Sequence, residues 1–373
     1  MIIRRFRLLL LKQYHGVQNN YYYFVPKTAR RYLTTNIVLD NNSDEKMATS
    51  VNDAGCTWEY HSISTTIDLS RKFACGAGIY SWENIQYYTG KGECPVKHSL
   101  DIFIPSEPFP RPKLPVCIFY HGGAWTRGDK RNNFNRRLYK NVAEAFCRHK
   151  MIVVLANYRL SPEVMHPEHA KDVARSMTWV HRHIGTYGGD SNSITLMGHS
   201  AGAHLAAFCL SDHQWLLEQG LQTAAAAEAI KHFVGISGLY NLDDLVSHPF
   251  GPLMIGNEVF GPLESTLWTT ASPIQRCSDA KKCPLDQMSV LLVTAEQDWP
   301  QLASQAEDFI EVLKKRASKG DQQSKRKAVR QSHAVIPTVD HLSIINNIGE
   351  EQDKLTPVIV KYLMNAAEKS ADL

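Results

Sequence analysis

From Val116 to the C-terminus, short apolar runs alternate with longer stretches in which apolar residues recur at helical spacing. The runs Val116–Tyr120, Ile152–Ala156, Ser193–Met197, His232–Ile236, Val290–Thr294 and Ala334–Ile336 read as buried strands. Between them the spacing predicts helices over Asn132–His149, Glu168–Ile184, Ala201–Ser211, Leu302–Ala317 and Pro357–Ala367. Upstream, Asn84–Tyr88 and Ser99–Ile104 flank a loop containing Gly, Lys and Pro and suit two antiparallel strands that open the sheet. Strand and helix in this alternation predict an α/β fold with a mostly parallel central sheet flanked by helices.

Two segments break the rhythm. Leu239–Gln287 is rich in Pro and Gly, lies between two strands and predicts a small inserted lid. Ser318–Arg330 is charged without apolar periodicity and reads as a solvated loop or helix extension. Asn41–Asp53 is polar and reads as a flexible joint. The expected organisation is a basic tail and linker over residues 1–59 and one domain over 60–373, with the lid at about 239–287.

The chain has 373 residues, 43% of them hydrophobic and 21% charged, a composition that fills a sizeable core and excludes wholesale disorder or a collagen-like chain. Its net charge of +4 is unevenly placed. Arg4, Arg5, Arg7, Lys12, Lys27, Arg30 and Arg31 precede residue 40 with no acid among them, so the body is slightly acidic and offers nucleic acid no footprint. The acid-free stretch fits a mitochondrial-type presequence; a plain basic tail, or translation starting from Met47, gives the same composition, and the cytoplasm is the default location. Apolar runs of the roughly eighteen residues that a membrane-spanning helix needs do not occur. The 8 cysteines show neither a CxxC nor a Cys/His metal spacing and read as free thiols in a reducing compartment, with Cys117, Cys147 and Cys209 in apolar surroundings.

Candidate chemistry begins with Gly198-His199-Ser200-Ala201-Gly202, between an apolar strand and a helix. A sharp strand-to-helix turn crowds the residues on either side of its apex, and glycines there relieve the clash while the apical Ser200 hydroxyl is exposed above the sheet. His121-Gly122-Gly123-Ala124-Trp125 follows another strand, and its glycines let main-chain amides turn toward a developing oxyanion. The expected donors are the amides of Gly123, Ala124 and Ala201, with His121 and Gly122 supporting the loop. His341, just after the last predicted strand, is the candidate base, since His199 and His204 lie too close to the turn to reach Ser200 in line. Asp298 is the candidate orienting acid, ahead of Glu296 and Asp340.

These motifs, with Asn157-Tyr158-Arg159-Leu160-Ser161-Pro162-Glu163 and Tyr187-Gly188-Gly189-Asp190, give a chain that resembles the α/β-hydrolase superfamily from about residue 84 onward. Its nearest branches look like the hormone-sensitive-lipase-like carboxylesterases and the kynurenine formamidases. His121 to Trp125 is similar to the formamidase pattern, and Tyr158 to Glu163 is similar to the esterase pattern. The resemblance implies a serine esterase acting on small or aromatic acyl compounds through an acyl-enzyme. Its alternative is an arylformamidase hydrolysing N-formylkynurenine, and a non-catalytic binding protein on the same scaffold is the third reading. The partner is a small-molecule ester or amide, and neither metal nor organic cofactor is called for. Trp125, Tyr240, Phe250, Trp268 and Trp299 are expected around the mouth, with Trp125 and Trp299 against the substrate.

Overall fold

The computed structural model describes residues 73–74, 78–106, 112–131, 138–219, 228–247, 256–319 and 330–371. The basic stretch, the polar joint, the predicted start of folding near residue 60, Phe250 and most of Ser318–Arg330 lie outside the described residues.

The described strands are β1 (Phe73–Ala74), β2 (Ile79–Gln86), β3 (Ser99–Pro105), β4 (Leu114–Tyr120), β5 (Ile152–Ala156), β6 (Gly189–His199), β7 (Ile230–Ile236), β8 (Ser289–Gln297) and β9 (Gln331–Asp340). They form one sheet in the order β1-β2-β3-β5-β4-β6-β7-β8-β9. From β5 across to β9 every pairing is parallel, while β1, β2 and β3 add antiparallel strands at one side. The helices are α1 (Lys140–Arg148), α2 (Glu168–His183), α3 (Ala201–Leu210), α4 (His213–Glu218), α5 (Leu242–Ser247), α6 (Asn257–Phe260), α7 (Leu267–Thr270), α8 (Pro273–Asp279), α9 (Pro300–Lys319), α10 (Ser343–Asn346) and α11 (Leu355–Ala371).

Parallel strands need crossovers, and the crossover helices cover both sheet faces, which is why β5 is buried along its whole length. On one face Cys117, Phe119, Val153, Leu155, Val234 and Val293 pack with Phe146 of α1, Ile344 of α10 and Ile359 of α11. The alternate residues Ile118, Leu196 and Leu292 are buried too, and α2, α3 and α9 pack on β6, β8 and β9. The mostly parallel sheet flanked by helices expected from the sequence is the fold observed.

Three element boundaries differ from expectation. β2 occupies Ile79–Gln86 rather than Asn84–Tyr88. A bulge between Trp82 and Ile85, with Asn84 at φ 57°, interrupts the strand's alternation and hides its first half. β9 spans Gln331–Asp340, beyond both ends of the predicted run, because its ends carry Gln331, Ser332, His333, Thr338 and Asp340, polar residues that the apolar run leaves out. α1 begins at Lys140, after Tyr139 at φ 70°. Between β7 and β8 the described chain carries the short helices α5 to α8.

Cys94, Cys117, Cys147, Cys209, Cys277 and Cys283 are free, and all but Cys94 are buried. Among the described residues no helix is long and apolar enough to cross a membrane.

Candidate active site

β6 passes into α3 through Ser200, whose φ of 53° and ψ of −119° are unfavourable for a residue with a side chain. The turn survives because its neighbours are small. A Cβ on Gly198 would sit 2.5 Å from the Gly202 carbonyl carbon, and one on Gly202 would collide with the Tyr120 carbonyl oxygen on β4. The Ser200 amide donates to the Ile236 carbonyl at 2.8 Å, which ties the turn to the end of β7.

His341 and Asp298 reach this hydroxyl from the ends of β9 and β8. His341 Nε2 lies 3.0 Å from Ser200 Oγ, and its Nδ1 lies 2.7 Å from Asp298 Oδ1. The other Asp298 oxygen accepts from Ser237 Oγ at 2.5 Å and from the Ala295 amide at 2.9 Å. Burial by itself raises the Asp298 pKa, but the hydrogen bond and charge of His341, with the Ser237 and Ala295 donors, outweigh it and hold the carboxyl below its usual range. The other two acids are engaged elsewhere. Glu296 accepts from the Thr338 amide at 2.7 Å, and Asp340 accepts from the Leu342 and Ser343 amides at 2.9 and 2.7 Å.

The loop after β4 lies directly against the turn. A Cβ on Gly122 would be 3.1 Å from Ser200 Cβ. The Gly122 amide donates to Tyr139 Oη at 3.1 Å, which leaves Gly123 and Ala124 as the next amides along the loop. Gly123, Ala124 and Trp125 have φ of 123°, 50° and 59°, so three successive peptides turn through left-handed backbone. His121 is tied into this loop and to β5's end by three contacts. Its Nδ1 lies 2.7 Å from the Gly122 carbonyl, its own carbonyl accepts from Tyr158 Oη at 2.8 Å, and its ring stacks on Tyr158 at 4.4 Å. Burial pushes its imidazole pKa down to about 4, so it is neutral at pH 7.

The Asn157 to Glu163 motif has a positional explanation. The Ser161 amide donates to the Trp125 carbonyl at 2.9 Å, Asn157 Oδ1 accepts from the Lys130 amide at 2.5 Å, and Arg159 pairs with buried Asp172 at 2.8 Å. It anchors the glycine loop from outside.

The structure corrects the expected aromatic mouth. Trp125 is 1% exposed, donates from Nε1 to His204 Nδ1 at 3.2 Å and meets Phe260 edge-on at 5.0 Å. Its left-handed backbone turns the indole into the core, so it braces the loop instead of facing substrate. Tyr240 stacks on Phe309 inside the fold, and Trp268 is buried with Nε1 donating to the Pro262 carbonyl at 3.2 Å. Trp299 alone of the described four is open, at 40% exposure, and its indole lies parallel to the His341 ring at 5.1 Å.

Three further side chains make contacts here that the sequence pattern does not reveal: Ser237, which it gives no part, and His199 and His204, which it considers only as bases. Ser237, at φ 47° just beyond β7, holds Asp298; its only sequence signal is a hydroxyl directly after an apolar strand. His199 lies 2.9 Å through Nε2 from the His341 carbonyl, and burial drives its pKa down to about 3. A neutral ring facing a carbonyl must donate, so His199 bonds the turn to the loop that carries His341. His204 accepts from Trp125 and its Nε2 lies 3.0 Å from the Ala271 carbonyl, joining α3 to both the glycine loop and the β7–β8 segment.

A parallel sheet with a serine on a strained strand-to-helix turn, and an imidazole and a carboxylate on later strand ends, defines the α/β-hydrolase class. The family model described as BD-FAE matches residues 100–298, and the chain belongs to that family. Among curated proteins, it is 34% identical over 152 residues to isoprenylcysteine alpha-carbonyl methylesterase ICME of Arabidopsis thaliana, covering 41% of this chain and 34% of that one. It is 36% identical over 148 residues to Esterase LipQ of Mycobacterium tuberculosis, covering 39% and 34% respectively. The chain thus spans about a third of the length of the curated relatives it matches. Esterase B from Lactobacillus rhamnosis superposes with a TM-score of 0.61 at 18% identity, over 79% of this chain and 88% of that one.

Proposed function

We propose that this chain is a serine carboxylesterase that cleaves esters of small or aromatic acyl groups through an acyl-enzyme. One observation carries the reading: Ser200 Oγ, His341 and Asp298 stand in hydrogen-bonded line at 3.0 and 2.7 Å on a strained turn facing a glycine loop. Relatives named as esterases support it.

In this mechanism Ser200 Oγ attacks the acyl carbon as His341 Nε2 takes its proton, with Asp298 holding the proton on Nδ1. The amides of Gly123, Ala124 and Ala201, the last at the N-terminal end of α3, stabilise the oxyanion. His341 then protonates the leaving alcohol. Water, deprotonated by the same imidazole, releases the acid and restores Ser200. Trp299, beside His341, forms a wall suited to an aromatic or short acyl ester. We assign the whole of residues 60–373 to one hydrolase domain, with residues 239–287 as its lid.

Amide hydrolysis of N-formylkynurenine is favoured by the His121 to Trp125 pattern, yet Trp125 is buried and speaks for loop architecture more than for substrate choice. Comparing kcat/KM for short phenyl esters with that for N-formylkynurenine decides between them. The esterase reading predicts a preference for the esters of at least about tenfold. The reverse preference would establish the formamidase.

A further inference from the structure

Outside the candidate site, one pair of nucleophilic side chains is placed unusually close. Cys277 Sγ on α8 and Cys283 Sγ, just before the turn leading to β8, lie 2.8 Å apart, and both residues are buried. Non-bonded heavy atoms pack at about 3.5–4.0 Å. The sulfurs are well inside that range and less than about 1 Å from the 2.03–2.05 Å of a covalent bond.

A metal is the competing occupant, because Asp286 brings a third donor atom to within 4.8 Å of both sulfurs. Two observations disfavour it. Two thiolates bound tetrahedrally at about 2.3 Å to zinc stand about 3.8 Å apart, much farther than here. The Asp286 oxygens are already committed to Arg316 Nε and Nη2 at 2.9 and 2.8 Å.

We infer that Cys277 and Cys283 are a disulfide-forming pair, an oxidative modification site that staples the end of α8 to the approach to β8. The bond closes the short loop over residues 278–282. This loop already touches the chain following α3, where the His213 amide donates to the Lys282 carbonyl at 3.2 Å. The staple therefore closes the end of the β7–β8 segment on itself, beside the chain that follows α3 (Ala201–Leu210).

The bond forms by exchange with a soluble disulfide such as oxidised glutathione. One cysteine thiolate attacks a glutathione sulfur, making a mixed disulfide and releasing one glutathione thiolate. The second cysteine thiolate attacks the protein sulfur of that mixed bond, the protein disulfide forms, and the second glutathione thiolate leaves. Two protons pass to the released thiolates or to solvent, and two electrons to the oxidant. In the closed fold burial, reinforced by the neighbouring Cys277 thiol, pushes the Cys283 thiol well above its ordinary pKa. Exchange accordingly belongs to folding or local opening, and the bond, once made, is shielded from reductant.

The test does not depend on the esterase reading, because it reads thiols and not turnover. Full-length protein is equilibrated with excess oxidised glutathione in sub-denaturing urea, acid-quenched, denatured and alkylated with N-ethylmaleimide, then mapped by peptide mass. The expected result is protection of Cys277 and Cys283 in one cross-linked peptide, recovered for alkylation by reductant. The oxidised protein should melt about 5 °C above the Cys277→Ser/Cys283→Ser variant, and the reduced protein level with it. Full alkylation of both cysteines after oxidation, or separate glutathione adducts on each that never resolve, would overturn the proposal.

Discussion

His341 Nδ1 sits 2.7 Å from one oxygen of Asp298, while Ser237 and the Ala295 amide hold the other. An ionised carboxylate only accepts, so this arrangement keeps the His341 proton on Nδ1 and turns an Nε2 lone pair toward Ser200. Replacing Asp298 by Asn offers that nitrogen an amide which can turn its donor inward. Asp298→Asn is expected to lower kcat on p-nitrophenyl acetate by about 10³–10⁴ with a folded protein at pH 7. Full activity in this variant would remove Asp298 from the mechanism.

Ser237 acts one step further out. Ser237→Ala leaves the Asp298 oxygen that faces away from His341 bound through Ala295 alone, and kcat should fall by about tenfold with little change in KM. It should also weaken the protein in acid. The Asp298 carboxyl is held below its unfolded value of about 3.9, so its stabilisation is complete above that pH and lost as pH falls through the folded value. Loss of Ser237 moves the folded value upward, so melting curves recorded from pH 5 to pH 2.5 should show the variant losing this stabilisation at higher pH. Identical profiles would contradict the role given to Ser237.

Buried histidines predict a second pH response. Burial pushes His121 and His169 down to about 4, and His199 and His204 to about 3. Unfolded, each takes up a proton near pH 6.5, so stability falls as pH drops below that value and goes on falling until the folded values are reached. Each contributes a slope of up to about 1.4 kcal/mol per pH unit in this window. The melting temperature should therefore decline steeply between pH 6.5 and pH 4, and less steeply in His169→Gln. A flat profile would mean that these rings are already protonated in the fold.

The glycine loop gives a steric prediction. A Cβ on Gly123 meets the Arg127 carbonyl oxygen, and its φ of 123° is unavailable to alanine without strain. Gly123→Ala should cost at least about 10²-fold in kcat/KM, as loss of an oxyanion donor does. An unaffected rate would take Gly123 out of the site.

Trp299 is open to solvent and stacked on the His341 imidazole. Trp299→Ala should raise KM for phenyl esters by about threefold to tenfold, with melting temperature unchanged. An equal effect on acetate esters of small alcohols would show that the indole does not contact an aromatic substrate.

What the sequence disclosed follows from where the chain is buried. β4 to β8 are covered on both faces, so their apolar runs stand out, and Gly198, Gly202, Gly122 and Gly123 mark where backbone must pass close to backbone. The first half of β2 is hidden by a bulge, and the ends of β9 by their polar side chains. Ser237 and His199 act through contacts between segments distant in sequence, which no local spacing encodes. Trp125 shows a related limit: loop membership says nothing about which way a left-handed backbone sends its side chain.

Intact-mass analysis after treatment with a fluorophosphonate probe tests the central claim most directly. One covalent adduct on the Ser200 peptide, absent from Ser200→Ala, is the predicted result. An unmodified wild-type protein, or an adduct that persists in the Ser200→Ala variant, would contradict it.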